Sequence, residues 1–227
     1  MPRRKYQVSL DELRRDVQQM GELVLERLEQ GLLALEITNA ALATEVIEGD
    51  KEINQRYLDL ESDCIGLFAL QQPVASDLRF VAASFKIITD LERVGDLAAN
   101  LGRYTLAAGH QYDTHIDLFD IGADVHTLVA DAVEAYVTED TAACYRIAKR
   151  DDEIDALCYS ASERVVRDLI ERQAAGGEGN PWDVEQVIDD VSRLLLTIRD
   201  LERVADHGVN IAARTLYLVD SNPELIY

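Results

Sequence analysis

Ile87-Ile-Thr-Asp-Leu-Glu-Arg-Val-Gly-Asp-Leu-Ala-Ala-Asn100 decides the fold, because it returns as Ile198-Arg-Asp-Leu-Glu-Arg-Val-Ala-Asp-His-Gly-Val-Asn210. Asp90, Leu91, Glu92, Arg93, Val94, Asp96 and Asn100 all recur at one constant offset. Upstream of each copy lies a second match, Asp50-Lys-Glu-Ile-Asn54 against Asp151-Asp-Glu-Ile-Asp155. The chain therefore reads as one unit written twice.

Working outward, the apolar residues recur at three and four, the period of an amphipathic helix. Ser9 followed by Glu12 has the form of a capping box, and Leu10, Leu13, Val17, Met20, Val24, Leu28 and Leu32 continue behind it, predicting a first helix from about 10 to 37. Asn39 caps a second helix to about 70, Gln71-Gln72-Pro73 breaks it, and a third runs from about 74 to 108. After a polar connection the pattern restarts: a fourth helix to 137, a fifth behind Asp140 to about 173, a break at 176–181, and a sixth opening at Pro181 and running to Leu218. The expected fold is all-α, two pseudo-symmetric antiparallel three-helix bundles, with residues 1–109 as the first, 110–117 as the connection and 118–227 as the second.

Composition narrows the function. The 227 residues carry a formal net charge of -21, which repels a phosphate backbone and excludes direct nucleic-acid binding. Lys5, Lys51, Lys86 and Lys149 are the lysines, and this acid-rich, Lys-poor surface suits a protein living in high salt, a halophile's. Cys64, Cys144 and Cys158 sit in apolar helical patterns and read as buried thiols in a reducing, cytoplasmic setting. No apolar run is long enough to span a membrane, and no signal peptide is expected.

The chemistry lies in where the acids point. Glu92 and Asp96 are roughly 40° apart on the helix, on the face that carries Val81, Phe85 and Ile88, whereas Asp90 lies on a polar face near Lys86 and Arg93 and is expected to pair with one of them. Glu202 and Asp206 repeat the arrangement, and Asp50, Asn54, Asp151 and Asp155 interrupt the stripes of the second and fifth helices. Folding each hairpin about its turn brings Asp50 opposite Glu92, and Asp151 opposite Glu202. Charges at a helix seam are costly unless neutralised, and such carboxylate pairs suit hard or borderline divalent ions. The alternative is that these acids are solvated at the stripe edge, or paired with Arg56, Arg93 and Arg203; recurrence in both halves favours metal. No glycine-rich phosphate loop, Glu-x-x-His pair or Ser-His-Asp constellation is present, so catalysis is not expected.

Asp50-x-Glu-Ile-Asn54, Leu70-Gln-Gln-Pro-Val-Ala-Ser-Asp-Leu-Arg-Phe80 and Lys86-Ile-x-x-Asp-Leu-Glu-Arg-Val-Gly-Asp-Leu-Ala-x-Asn100 resemble the PhoU family of phosphate-uptake regulators, over about residues 10 to 217. The resemblance implies two three-helix bundles and metal clusters, often iron, at the paired acidic motifs. Carried over, the ligands are Asp50, Asn54, Glu92 and Asp96 in the first half and Asp151, Asp155, Glu202 and Asp206 in the second. The ion is left open among iron, zinc, manganese and magnesium, divalent or ferric. Asn54 replaces a carboxylate, so the first site is expected to be the weaker one. The resemblance further implies a cytoplasmic, homodimeric regulator that restrains the phosphate ABC transporter at its ATPase side and, where one is present, acts with a membrane sensor kinase. A metal-storage protein or plain metal-binding scaffold is the alternative.

Overall fold

The computed structural model describes residues 3–70, 75–108, 118–174 and 181–226. Among them it contains six helices and no strand: α1 (Arg3–Glu36), α2 (Ala40–Leu70), α3 (Ala75–Ala107), α4 (Leu118–Thr138), α5 (Thr141–Ala174) and α6 (Pro181–Asp220). The expected Gln71-Gln72-Pro73 break, the connection at 109–117 and the Asn180 cap lie outside the described residues.

The start of α1 differs from the sequence expectation. The helix begins at Arg3, and Ser9 is not its cap: the Ser9 hydroxyl donates to the Lys5 carbonyl at 3.3 Å, one turn back. Tyr6 and Leu10 explain this, since both are buried and extend the apolar stripe. Tertiary packing of that stripe outweighs a local cap in setting where a helix starts.

The two short connections share one design. Thr38 (φ 52°) and Glu139 (φ 57°) adopt left-handed backbone after α1 and α4. Each is followed by a capping side chain: Asn39 Oδ1 accepts from the Ala41 and Leu42 N–H groups at 3.0 and 3.1 Å, and Asp140 Oδ1 from Ala143 N–H at 3.0 Å. These bonds satisfy amide donors that a helix start leaves without partners.

α1, α3, α4 and α6 form the shared centre, with α1 packed on α4 and α3 on α6, while α2 and α5 flank it, each against helices of its own half. Met20, Leu28, Ile88, Leu91, Leu128 and Leu201 are fully buried there, each worth about 1.5–3 kcal/mol relative to exposure. Gly21 lets α1 approach α4: a Cβ there would stand 2.8 Å from Val133 Cγ1, and the matched Gly122 faces Leu32 in the same way.

The α3–α6 seam is polar and corrects the expectation for Asp90. Its carboxylate accepts from Asn210 Nδ2 at 3.3 Å and hydrogen-bonds His207 Nδ1 at 2.9 Å, rather than pairing with Lys86 or Arg93. Reciprocally, buried Asp200 accepts from Asn100 Nδ2 at 3.0 Å and the Tyr104 hydroxyl at 2.8 Å. The recurrence of Asp90 and Asn100 as Asp200 and Asn210 is thus a pair of crossed bonds between the halves. Sequence reasoning read Asp90 as a polar-face residue because it had no view of which helix lay opposite.

Candidate metal centre

Each acidic group brackets a buried contact on a helix hairpin. In α2 and α3, Ile53 lies between Asp50 and Asn54, and Gly95 between Glu92 and Asp96. A Cβ at Gly95 would stand 2.9 Å from Ile53 Cδ1, so glycine lets the helices meet closely here. In α5 and α6 the corresponding residues are Ile154 and Ala205, both buried.

The first group is partly neutralised. Asn54 Nδ2 donates to Asp50 Oδ2 at 2.9 Å, and Arg93 reaches both Glu92 and Asp96 at 3.5 Å. Burial and then the Asp96 charge raise the Asp50 carboxyl above its ordinary range. Burial and Asp96 also raise Glu92, opposed by Arg93. Asp50 Oδ1 is buried without a hydrogen-bond partner.

The second group has four carboxylates and, among the described residues, no ion pair. Burial first, then Asp155, Asp206, Asp152 and Glu202, push Asp151 up to about 7. Burial and Asp206 raise Asp155, while burial, Asp155 and Asp206 raise Glu202 against the Arg199 charge. Asp151 Oδ1 is buried and unbonded, as in Asp50. Asp151 and Glu202 act on each other electrostatically across the α5–α6 hairpin, as Asp50 and Glu92 do across α2–α3, each a smaller effect than burial.

The arginine alternative holds in one half only. Arg93 serves Glu92 and Asp96, but Arg203 turns to Asp200 at 3.4 Å, and Arg56 goes to Asp16 at 3.1 Å on α1. Glu61 accepts from the Tyr57 hydroxyl at 3.4 Å. His207 faces Asp90, His126 is half-buried on α4, and His110 and His115 lie outside the described residues.

The donor set fits a hard cation, since it is all oxygen and includes an orphaned buried oxygen in each group. Among the described residues, no three or more His, Cys, Asp and Glu side chains already stand in a metal-cage arrangement. Loading would therefore require side-chain rotations, and in the first group release of Arg93.

A family model described as PhoU domain matches residues 17–105 and again residues 118–215. The chain belongs to the PhoU family. The Phosphate-specific transport system accessory protein PhoU homolog of Streptococcus pneumoniae is 32% identical over 218 residues, covering 95% of each chain. Its Pseudomonas putida counterpart is 29% identical over 218 residues, 95% of this chain and 80% of that one. The crystal structure of PhoU from Pseudomonas aeruginosa superimposes with a TM-score of 0.85 at 28% identity, over 96% of this chain and all of that one. The phosphate transport system regulatory protein PhoU from Streptococcus pneumoniae gives 0.85 at 30% identity, over 98% and 99%. The all-α PhoU fold is thereby established. No helix among the described residues is long and apolar enough to cross a membrane.

Proposed function

We propose that this protein regulates phosphate uptake, negatively controlling a phosphate-specific ABC transporter and phosphate-starvation signalling through protein contacts, with metal held at its paired carboxylates. Family membership supports the phosphate role, since the relatives are named as phosphate-specific transport system accessory proteins. The metal reading rests on one observation: equivalent α2–α3 and α5–α6 hairpins each concentrate carboxyl groups and bury one carboxylate oxygen without a partner. On this reading the protein acts in the cytoplasm, as a homodimer, at the ATPase side of the transporter and, where one exists, on a membrane sensor kinase. Catalysis has no part in it.

Asp151, Asp155, Glu202 and Asp206 would hold the tighter ion, because no arginine among the described residues is ion-paired to them and Arg199 acts on Glu202 only as a nearby charge. Asp50, Asn54, Glu92 and Asp96 would hold the weaker. The cation would supply charge neutralisation, tying α5 to α6 across a seam that otherwise repels itself. The acid-rich surface would keep the protein soluble in high salt.

Elemental analysis of protein purified without chelator tests the metal reading. Near-stoichiometric metal, lost from the Glu202→Ala, Asp206→Ala variant while its helical circular dichroism persists, is the expected result. Metal-free protein that takes up no added iron, zinc, manganese or magnesium would refute it. Deleting the gene should derepress phosphate uptake at high external phosphate; unchanged uptake would refute the regulatory reading.

A further inference from the structure

Large apolar side chains stand exposed at three matched positions of the two halves. On the first hairpin Leu58, Ile65 and Leu78 are 53%, 55% and 45% exposed; on the second Tyr159, Val166 and Ile188 are 67%, 43% and 53% exposed. Single exposed apolar residues need no explanation. Recurrence of all three, on a chain whose surface is dominated by acids, does.

Leu58 and Ile65, like Tyr159 and Val166, are two turns apart on one line of their helix, roughly 10 Å along the axis. Apolar anchors at that spacing match the i and i+7 residues of an amphipathic helix laid alongside. Acids interleave the stripes: Glu61 lies between Leu58 and Ile65, and Glu163 between Tyr159 and Val166. Both are held on the surface by tyrosine hydroxyls at 3.4 Å, from Tyr57 and Tyr159. Arg79, the cation beside Leu78, is turned away onto Ser221 and the Tyr217 ring.

We infer that each hairpin face, α2–α3 and α5–α6, docks one amphipathic helix of a partner protein, with leucine-like anchors along one side and lysine or arginine beside them. The occupant follows from charge complementarity, which selects partners and speeds their encounter. A second copy of this chain fits these faces poorly, because it would set one acid-lined stripe against another, and a homodimer would use other surfaces. The faces also differ in their anchors: Leu58 and Ile65 on the first stand where the second has Tyr159 and Val166. This surface is independent of metal, and its test uses chelated protein, so that its failure leaves the metal and phosphate readings untouched.

The probe is a synthetic helix of about five turns, with leucines on one face and lysines elsewhere, titrated into the full chain by calorimetry and fluorescence anisotropy. Two peptides per chain are expected, with unequal affinities. Leu58→Ser with Ile65→Ser should weaken one event at least tenfold, and Tyr159→Ser with Val166→Ser the other, with helical circular dichroism unchanged in both. Equal binding of a peptide with the same composition but scattered leucines would overturn the inference, since attraction by net charge alone would then suffice. So would equal binding of the version with glutamate in place of lysine, or unchanged binding by both serine variants. A dimer in sedimentation velocity that the serine variants convert to monomer would assign the faces to a second copy instead.

Discussion

Replacing Asp151 by Asn measures what burial and then like-charge repulsion cost the second acidic group when no metal is bound. Asp151 is half-buried, has a buried oxygen with no partner, and holds its proton up to about 7. A carboxyl that binds its proton more tightly folded than unfolded makes the folded state the better proton binder. Stability contributed by the protonated form is therefore fully present below the unfolded value of 3.8 and is lost as pH rises through about 7. At about 1.4 kcal/mol per pH unit the full linkage would be about 4 kcal/mol. Solvent screening of a half-open group reduces this to roughly 1–2 kcal/mol. Asn keeps the shape and removes the charge, so the variant should match the wild type near pH 4 and exceed it above pH 7. For a chain of this length that gain raises Tm by roughly 2–8 °C. Thermal unfolding followed by circular dichroism, in chelator at pH 4.5 and pH 8, reads the difference directly. A Tm difference that is the same at both pH values, or a loss at pH 8, would refute the reasoning and mark Asp151 as a hydrogen-bonded structural residue.

Asn54→Asp completes the first group with a fourth carboxylate; metal titration should show tighter binding at the first site, and metal-free stability at pH 8 should fall. Unchanged affinity would mean that Arg93 rather than Asn54 limits that site. Gly102→Ala places a Cβ 2.8 Å from the Ala43 carbonyl oxygen, and forcing α2 away from α3 should cost about 1–3 kcal/mol in urea unfolding, although alanine is the better helix former. A stabilised variant would show that the α2–α3 seam has slack. Raising KCl from about 0.1 to about 1 M shortens the screening length from about 10 to about 3 Å, so Tm should rise for a chain of net charge -21. A flat or falling Tm would show that the surface acids are locally compensated.

Most of the fold was legible because its determinants are local. The α2, α3, α5 and α6 boundaries follow from apolar spacing, Asn39, Asp140 and Pro181, each of which acts within a turn of itself. The exception is the start of α1, where the Ser9-Glu12 pattern imitates a cap inside a helix that Tyr6 extends by burial. The hairpin fold-back that sets Asp50 against Glu92 and Asp151 against Glu202 is an expectation from distance to the turn, and in the structure the members of each pair act on one another electrostatically.

The sequence by itself determined the duplication, the helices and the face on which each acid lies, because a helix converts spacing into direction without reference to the rest of the molecule. Only the tertiary structure decided what each charge meets. The Asp-Leu-Glu-Arg motif occurs in both halves, yet Arg93 turns to Glu92 and Asp96 while Arg203 turns to Asp200. The two seam carboxylates are satisfied by different side chains, Asp90 by His207 and Asn210, Asp200 by Asn100 and Tyr104. Which carboxylate an arginine turns to depends on the side chains packed around it on other helices, and spacing along one helix does not record them.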